Sequence, residues 1–551
     1  MKSGLDARLL LFVSIMVLLG GIAGAQFQRR GFGGLDSESA LRFTRKPGLR
    51  RNPNPAVPLA AIADFATSKP ARVSIFRKDE GGQQLLWQST VRRGEHSIPV
   101  LGLRPNRTES ISVTMADTDG SELTSSNIEI VTDPLPGAFP SLEVTVSDPG
   151  KMEPGVTLFN VSSPSLSAFG MLVAVDQRGE VIWYYRADKP IGDARRMRNG
   201  NLIFLDAAGA AEIDVLGNLI RRWQPARAPA IDPDVFTIPV ETDMFHHEIS
   251  ETSSGRFLTL STELRRYGGY PSSETDPLSV PETADVAGDV LVEFRADGAI
   301  VNQWSLLNIL DPYRIGFGSL GSQWDFIYSE AANGTRDWSH ANAIIPDPSD
   351  DSLIVSLRHQ DAVIKVGRTT GNLIWILGNH HEWNPPWNRY LLRPTGNLQW
   401  PYHQHAPKIS ERGTLLLFDN GNFRRRPFDE LPGENYSRAV EFAIDPQSMT
   451  VSQVWSYGGP DDEMFFSNAF GDADWMPLTG NVLITDGSRT GAGPSPSRFS
   501  RIVEVTHTQP ARKVFELIVK DPLAGPSLGW RVYRSERLSS LYPLQFTGEN
   551  N

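Results

Sequence analysis

The amino-acid sequence predicts an all-β protein in which a small β-sandwich, of the immunoglobulin or fibronectin III type, precedes a six-bladed β-propeller. Short apolar strands separated by polar turns run along most of the 551 residues. In the part after residue 140 a unit of turn and strand recurs, and six aromatic residues occupy corresponding places in it. Three of these units also carry a histidine at the same point. The repeat therefore predicts both the fold and the candidate site.

The first 25 residues are typical of a secretory signal peptide. A short charged segment precedes an apolar run from Leu9 to about Leu19, and Ala23, Gly24 and Ala25 supply the small residues of a cleavage site. The apolar run is shorter than the roughly 20 residues that span a bilayer, which argues against a membrane anchor. We therefore predict an exported protein, periplasmic or secreted, that is not stably inserted in a membrane.

The composition excludes several classes of function. The formal net charge is -11 at pH 7, so nucleic acid is not an expected partner, since phosphate binding needs a concentrated basic surface. The chain has no cysteine, which excludes disulfides, thiol catalysis, thiolate metal sites and iron–sulfur clusters. Hydrophobic residues make up 40% of the chain and charged residues 21%, the balance of a folded globular protein.

Three segments follow the predicted signal peptide. Residues 26–50 are rich in Arg, Gly and Pro without periodicity and are predicted to be a flexible lead-in. Residues 51–137 contain short alternating runs, such as ISVTM at 111–115, which predict the β-sandwich domain. Residues 138–551 are assigned to the propeller, after a proline-rich stretch that closes the sandwich.

The repeated unit has two halves. One is a polar turn followed by an apolar strand, as in the LIFL strand at 202–205 and the VLIT strand at 482–485. The other is a strand that carries an aromatic residue, and these residues are Trp183, Trp223, Trp304, Trp375, Trp455 and Phe515. Six such residues predict six blades, because radial sheets bury the same face in every unit. The first unit is one strand short, and the segment from Trp530 to Tyr542 is predicted to supply that strand and close the ring.

The candidate site consists of His247, His340, His405 and Arg358. His247 and His405 each stand eight residues before the glycine of their turn, and His340 precedes its turn by slightly more. All three histidines therefore start the first strand of a blade, and first strands line the central channel, so the imidazoles should converge. Arg358 follows the second strand of the His340 blade. That strand is antiparallel to the first and ends at the same mouth.

The other histidines are given lesser roles. Because side chains alternate along a strand, His246 is expected to face away from the site, whereas His403 is a candidate to share the face of His405. The same alternation turns His359 away from the arginine before it. His246, His403 and Asn342 are kept as possible neighbours of the site. The histidines expected in loops or on the surface are His96, His380, His381 and His507.

Such a cluster suits more than one chemistry. An arginine and imidazoles can hold a tetrahedral oxyanion such as sulfate or phosphate through charge-assisted hydrogen bonds. One histidine can also act as a nucleophile that carries a transferable group on nitrogen. Three histidines can instead bind zinc or copper, but the positive charge of Arg358 disfavours a cation there. We therefore expect neither a metal nor a cofactor.

At these residues the sequence resembles the bacterial arylsulfate sulfotransferase family, which works without the activated nucleotide sulfate donor. The segments that carry the resemblance are 245–249 (FHHEI), 337–342 (DWSHAN), 352–360 (SLIVSLRHQ) and 404–406 (QHA). Further similarity lies at 436–441 (YSRAVE), 454–458 (VWSYG) and 533–537 (YRSER). The resemblance extends to the N-terminal β domain and so covers most of the chain.

The resemblance implies a six-bladed propeller that moves a sulfuryl group from an aryl sulfate to a phenolic acceptor by a ping-pong route through a sulfohistidine. By motif, His405 would be the nucleophile, while His247, His340 and Arg358 would hold the sulfuryl oxygens. The predicted partners are a small aryl sulfate, a phenol and a second copy of the chain in a homodimer. Members of the family can carry a disulfide on a loop near the active site, and this chain has no cysteine to form it.

Two alternatives stay open. Residues 369–375 (TTGNLIW) resemble the tryptophan-docking turn of pyrroloquinoline quinone dehydrogenases, although those enzymes often carry adjacent cysteines. A non-catalytic propeller that binds a ligand is the other, because a fold does not imply a function. The segment 378–400, with Trp383, Trp387 and Trp400, is either an aromatic wall for a phenol ring or a piece of core packing.

Overall fold

β-Strands make up nearly all of the regular structure. The computed structural model describes residues 40–79, 81–163, 166, 169–228, 236–429, 433–460, 462–490, 498–521 and 529–542. These ranges contain one short α-helix, α1 (Leu306–Ile309), and one turn of 3-10 helix, η1 (Trp387–Tyr390). Within the same ranges no helix is long and apolar enough to cross a membrane. The predicted signal peptide, residues 1–25, lies outside the described residues.

The N-terminal domain is the predicted β-sandwich, built around one long strand. Its strands are β1 (Phe43–Arg51), β2 (Ala61–Asp79), β3 (Gly82–Gln88), β4 (Arg92–Val100), β5 (Thr108–Ala116), β6 (Glu122–Thr124) and β7 (Ile128–Val131). The first half of β2 pairs with β1 and β4, and its second half pairs with β3 and β5. β5 also pairs with β6 and β7. Because β2 passes from one sheet to the other, Phe65 and Ile75 from its two halves lie in one buried core.

Strand β1 corrects the predicted boundary of the lead-in. Residues 43–50, assigned by the sequence to a flexible segment, belong to β1 and pair with β2. β1 lies at the edge of its sheet, contains Pro47 and Gly48, and has two irregularities in its pairing. Edge strands tolerate proline and basic residues and need no apolar alternation, so the pattern that marks a strand is missing here.

His96 is a second correction, since it is neither in a loop nor on the surface. It lies on β4 and is buried, with its ring stacked on Phe65 at a centroid distance of 4.7 Å. Its Nε2 is 3.3 Å from Oγ1 of Thr67. A histidine with a hydrogen-bond partner fits such a core, and it has no role in the site described below.

Six sheets form the blades of the propeller. β8 (Ser141–Ser147) precedes the first blade, which contains β9 (Val156–Ser162), β10 (Gly170–Val175) and β11 (Val181–Ala187). The second blade contains β12 (Ile191–Arg196), β13 (Leu202–Asp206), β14 (Gly209–Ile213), β15 (Leu219–Pro225) and β16 (Ile238–Val240). The third contains β17 (His246–Glu251), β18 (Phe257–Tyr270), β19 (Glu282–Phe294), β20 (Ile300–Ser305) and β21 (Thr335–Asp337).

The remaining blades follow the same plan. The fourth contains β22 (Ala341–Asp347), β23 (Ser352–Leu357), β24 (Ala362–Gly367) and β25 (Leu373–Gly378). The fifth contains β26 (Arg393–Pro394), β27 (His405–Ile409), β28 (Leu415–Asp419), β29 (Arg438–Asp445) and β30 (Thr450–Tyr457). The sixth contains β31 (Asp472–Trp475), β32 (Val482–Thr490), β33 (Arg498–Val505) and β34 (Lys513–Lys520), and β35 (Ser535–Leu538) follows it. The six-bladed prediction is confirmed.

The ring is closed from both ends of the propeller sequence. β35 pairs with β9 and takes the place of the missing first strand in the first blade, as predicted. β8 pairs with β34 and adds an outer strand to the sixth blade. The first strands β12, β17, β22, β27 and β31 contact one another in that order, so they surround the central channel.

The six repeated aromatic residues join each blade to the next. All six are buried and lie on the fourth strand of their blade. Nε1 of Trp183 donates a hydrogen bond of 2.9 Å to the carbonyl of Val215 in the second blade, and Trp223 donates one of 3.0 Å to Ala296 in the third. The turn at Gly371 in the fourth blade lies against Trp304 of the third, because a Cβ added there would be 3.2 Å from the indole. These residues therefore dock on the outer turn of the neighbouring blade.

Removal of one docking tryptophan is expected to destabilise the ring. Trp223 is fully buried, and Trp223→Ala should lower the free energy of unfolding by about 3–5 kcal/mol, since it leaves a cavity and an unpaired carbonyl. Trp223→Phe should cost markedly less, because Phe515 occupies the equivalent place in the sixth blade. Urea unfolding followed by circular dichroism measures both. Equal losses for the two variants would contradict the docking role.

Candidate active site

Three consecutive blades carry the predicted histidines at the channel. β17 begins at His246, β22 begins just after His340, and β27 begins at His405. The ring centres of His247 and His340 are 4.8 Å apart. Burial is the main cause of the lowered pKa of His247, and charge on His340 or His405 would lower it further, so both rings lie within electrostatic reach of His247. The structure thus brings the three residues together.

Local backbone irregularities aim these side chains. The strand pairing shifts register directly after His246, Ala341 and His405, which is the mark of a β-bulge. His247 and His340 also have φ angles of 59° and 46°, in the left-handed region. Such a conformation costs a residue other than glycine about 1–3 kcal/mol and is concentrated at functional sites. The bulges therefore re-aim the first residues of the strands.

Each of the three rings is held at Nδ1 by a different partner. Nδ1 of His340 is 2.5 Å from Oδ2 of Asp337, Nδ1 of His247 is 2.8 Å from Nδ1 of His246, and Nδ1 of His405 is 2.6 Å from Oδ1 of Asn420. None of the three Nε2 atoms has a hydrogen-bond partner among the residues that the structure describes. The free ring nitrogen is therefore the same atom in all three.

Asn420 fixes the tautomer of His405. The amide nitrogen of Asn420 donates to the carbonyls of Ser467 and Phe470, at 2.9 and 2.8 Å, so its Oδ1 must face the imidazole. Oδ1 only accepts, so Nδ1 of His405 carries the hydrogen and Nε2 carries a lone pair. Burial lowers the pKa of His405 well below its usual value, and the charge of Arg358 lowers it further. His405 is consequently a neutral imidazole whose Nε2 lone pair has no hydrogen-bond partner among the described residues.

His246 hydrogen-bonds His247 instead of facing away from the site. Nε2 of His246 donates to the carbonyl of Ser261 at 3.2 Å, which leaves its Nδ1 as an acceptor. His247 then donates from Nδ1 and keeps a lone pair on Nε2. Burial is the main reason that the pKa of His247 lies well below its usual value. The bulge after His246 is the reason that simple strand alternation misplaces this residue.

Arg358 lies against a fourth ring. Its Nη1 is 2.9 Å from Nε2 of His359, and its Nη2 donates to the carbonyl of Asn468 at 3.2 Å. Nδ1 of His359 donates to the carbonyl of Asp337 at 2.7 Å, so the expectation that His359 faces away is wrong. Both residues follow the end of β23, where strand alternation no longer applies. Burial lowers the pKa of Arg358 to about 10, which leaves it a cation at neutral pH.

His403 lies behind the site and does not share the face of His405. Its Nδ1 is 2.9 Å from Oδ1 of Asp361 and its Nε2 is 3.0 Å from the carbonyl of Phe317, so both ring nitrogens are occupied. It precedes β27 and has a φ of 54°, which takes it out of the strand pattern. Asn342 lies on β22 and donates to the carbonyl of Gln404 at 2.8 Å, which holds the backbone just before His405.

Sequence reasoning missed four residues of the site. Asn420 follows the second strand of its blade as Arg358 follows that of the preceding blade, and this signal was available. Asp337 lies three residues before His340. Arg534 precedes β35 and contacts Oε2 of Glu248 at 2.6 Å and the carbonyl of Asn342 at 3.0 Å. The ring of Tyr533 lies 6.2 Å from that of His247. The last two enter the site only through closure of the ring.

One group of side chains has the composition of a metal site. Ligand atoms of Asp337, His340 and His359 lie within 4.8 Å of one another. These atoms are already hydrogen-bonded, the carboxylate to His340 and Nδ1 of His359 to the peptide carbonyl of Asp337. The guanidinium of Arg358 also lies 2.9 Å from the other nitrogen of His359. This arrangement fits a group that shares protons better than a ligand set for a cation.

Comparison with known proteins gives matches over most of the chain. The family described as Arylsulfotransferase (ASST) matches residues 142–527, and the Arylsulfotransferase Ig-like domain matches residues 50–133. An arylsulfate sulfotransferase AssT of Escherichia coli O6:H1 is 32% identical over 259 residues, and one of Lelliottia amnigena is 30% identical over 259 residues. Each alignment covers 40% of this chain and 41% of the relative, so the chain matches about two fifths of the length of these relatives.

Solved structures resemble the chain only weakly. The dihydro-heme d1 dehydrogenase NirN has a TM-score of 0.29 at 10% identity, over 85% of this chain and 75% of that one. PhoX of Pseudomonas fluorescens has a TM-score of 0.28 at 10% identity, over 87% of this chain and 88% of that one. Likeness at this level carries no inference about function.

Proposed function

The chain belongs to the arylsulfotransferase family, and on that premise we propose that it transfers a sulfuryl group from an aryl sulfate to a phenol. The observation that carries the proposal is the neutral His405, whose Nε2 lone pair is free while its Nδ1 is held by Asn420. A sulfuryl group needs a nucleophile together with donors for its oxygens. Arg358 supplies donors of this kind and His340 is proposed to supply another, whereas Nε2 of the neutral His247 can only accept.

In the first half of the reaction, Nε2 of His405 attacks the sulfur of the aryl sulfate. A nitrogen–sulfur bond forms, and the bond between sulfur and the aryl oxygen breaks with its electron pair on that oxygen. His405 keeps its hydrogen on Nδ1 and becomes a sulfohistidine, while the phenolate takes a proton and leaves. We assign that proton to His340, because its Nδ1 contacts the Asp337 carboxylate, the kind of partner that supports an acid–base imidazole.

In the second half, a phenol enters and the same steps run in reverse. The phenol returns its proton to His340 and its oxygen attacks the sulfur, and the electron pair of the nitrogen–sulfur bond goes back to Nε2 of His405. The neutral amide of Asn420 cannot take the Nδ1 proton, so the sulfated ring stays positively charged and remains a good leaving group. A carboxylate in its place would stabilise the intermediate and slow this step.

Arg358 and Arg534 are assigned to charge stabilisation. Arg358 presents a cationic fork beside the attacking ring, and forks of this kind match tetrahedral oxyanions. Arg534 is buried and paired with Glu248 at 2.6 Å, and its charge reaches His405 and His247. The surroundings are therefore poor in water and rich in fixed positive charge, which is the condition for stabilising negative charge in the transition state.

The structure explains in another way the segment that resembles quinone dehydrogenases. The turn at residues 369–375 contains Gly371, whose backbone lies against Trp304 of the preceding blade. That turn therefore serves blade packing, which accounts for its resemblance to a tryptophan-docking motif. The remaining alternative is a propeller that binds a ligand without catalysis. A single measurement distinguishes it from the proposal.

That measurement is release of 4-nitrophenol from 4-nitrophenyl sulfate, with and without a second phenol. The proposal expects release that depends on the acceptor, with the sulfated acceptor detected by mass spectrometry. Release that depends on water alone would make the protein a sulfatase. Folded protein that releases nothing across a broad set of acceptors would overturn the proposal and favour the binding propeller.

The tautomer argument gives a prediction for Asn420. Asn420→Ala should lower kcat roughly 10- to 100-fold, because a charge-developing ring loses its hydrogen-bond partner. Asn420→Asp should raise the pKa of His405, since a carboxylate favours imidazolium, so the acid limb of the rate profile moves to higher pH. Rate profiles from pH 4 to 9 measure both effects. Asn302→Ala, which removes an amide that contacts Glu293 on an outer strand, is the control.

A further inference from the structure

Two stacked aromatic rings lie beside the histidine cluster and have no part in the chemistry above. The ring centres of Phe317 and Phe423 are 4.4 Å apart, with an angle of 27° between their planes. Phe317 is buried, whereas Phe423 is 41% exposed. Phe423 follows β28 by four residues, and Asn420, the partner of His405, lies in the same loop. The exposed ring therefore lies on the loop that also carries the partner of His405.

The two rings are tied to the site at two points. The carbonyl of Phe317 accepts from Nε2 of His403 at 3.0 Å, and the ring of Phe423 lies 5.6 Å from that of His403. Asn422 donates to the carbonyl of Asn468 at 3.0 Å, and the same carbonyl accepts from Nη2 of Arg358 at 3.2 Å. The loop that carries Phe423 is thus joined, through the carbonyl of Asn468, to the arginine proposed to hold the sulfuryl group.

The backbone that presents Phe423 is strained. Phe423 and Arg424 have φ angles of 63° and 45°, and bulky residues rarely adopt this left-handed region. The side chain of Arg424 holds the loop through Oδ2 of Asp419 at 3.1 Å and through the ring of Tyr436, 3.4 Å from the guanidinium carbon. One face of the Phe423 ring packs on Phe317, and the strained backbone leaves 41% of the side chain exposed. This combination points to a ligand for that ring.

We propose that Phe423, supported by Phe317, is the surface on which the aryl ring of the substrate stacks, and that it favours fused over single rings. The proposal rests on the function proposed above and names the substrate class of the same site. Stacked rings at this spacing attract one another beyond the burial of area, and a fused ring overlaps Phe423 more than a phenyl ring does. Phe423 is then a residue that determines specificity.

Trp383 and Trp387, in the segment 378–400, are engaged in packing contacts. Trp383 is buried beneath the guanidinium of Arg314, 4.0 Å from its ring centre, and Nε1 of Trp387 donates to the carbonyl of Ile309 at 2.9 Å. The packing alternative holds for these two residues. The other alternative for this segment, an aromatic wall, is assigned in this proposal to Phe423.

Binding to a variant that cannot transfer the group separates this proposal from catalysis. In a His405→Asn background, 2-naphthyl sulfate should bind more tightly than phenyl sulfate by isothermal titration calorimetry. Adding Phe423→Ala should weaken the binding of 2-naphthyl sulfate roughly 5- to 20-fold and the binding of phenyl sulfate less. Phe423→Tyr should preserve the preference for 2-naphthyl sulfate over phenyl sulfate. Circular dichroism verifies that each variant is folded.

Phe326 supplies the matched control. It is 66% exposed and its ring lies 6.2 Å from that of Trp324, which is 4.9 Å from the ring of His246, so it is linked to the histidines through a different aromatic neighbour. Phe326→Ala should leave the preference unchanged. Loss of preference in Phe326→Ala alone, or equal weakening of both sulfates in Phe423→Ala, overturns the proposal. If binding depends on Phe423 while the unmodified protein transfers nothing, the function proposed above fails and the aryl-binding surface stands.

Discussion

His405→Asn is expected to lower kcat/KM for sulfuryl transfer on the order of 10⁴-fold or more, the scale of loss when a nucleophile is removed. The reason is local. Among the described residues, His405 combines a free Nε2, an Nδ1 fixed by an oriented amide, and a pKa held well below its usual value by burial. An amide in its place keeps the polarity of the position and removes the lone pair that attacks sulfur.

The measurement has a kinetic and a chemical part. Initial rates with 4-nitrophenyl sulfate give the loss, and mass spectrometry of protein quenched before acceptor is added shows whether a sulfuryl group is attached to His405. His247→Asn is the matched control, because it removes a neighbouring imidazole but leaves the nucleophile. It should be slow and should still become sulfated. Sulfation of His247 in the His405→Asn variant would move the nucleophile two blades away, from the fifth blade to the third.

Arg358→Met is expected to lower kcat/KM about 10²- to 10³-fold, the usual cost of one donor to a developing oxyanion. Arg358 is a half-buried cation, and Asn468 and His359 orient its guanidinium. Arg358→Lys should recover only part of the loss, since an ammonium keeps the charge and loses the fork. A KM effect without a kcat effect would mean that Arg358 binds substrate and transition state equally.

The same substitution has a consequence for pH dependence. The charge of Arg358 is the second cause, after burial, of the lowered pKa of His405. Removing a cation raises the pKa of a neighbouring imidazole, so in Arg358→Met a larger fraction of His405 is protonated at mildly acidic pH. The acid limb of kcat/KM should therefore move upward, in the same direction as for Asn420→Asp. An unchanged acid limb would show that Arg358 does not act on His405.

The sequence predicted the fold well because the propeller repeats itself. Each blade needs a buried aromatic residue on its fourth strand, and the six residues from Trp183 to Phe515 are therefore visible without any structure. Closure by β35 also followed from counting strands. The start of β1 could not be predicted from the sequence, because an edge strand with Pro47 and Gly48 has no apolar periodicity.

The site was predictable only in part. Repetition and strand direction led to the three histidines and to Arg358, whereas alternation failed for His359 and His403, which lie just outside strands. Asn420 presents a different limit. Asparagines are common in loops, and this one matters only because Ser467 and Phe470 turn its amide oxygen toward His405. Packing of that kind leaves no pattern in the sequence.

Closure of the ring by β35 sets an order for biosynthesis. Tyr533 and Arg534 immediately precede the strand that completes the first blade, and Arg534 reaches across to Glu248 and Asn342 in the third and fourth blades. A nascent chain that ends before residue 533 still lacks this arginine and also Tyr533, whose ring lies 6.2 Å from that of His247. The cluster around His247 is therefore completed last, when Tyr533 and Arg534 have been synthesised.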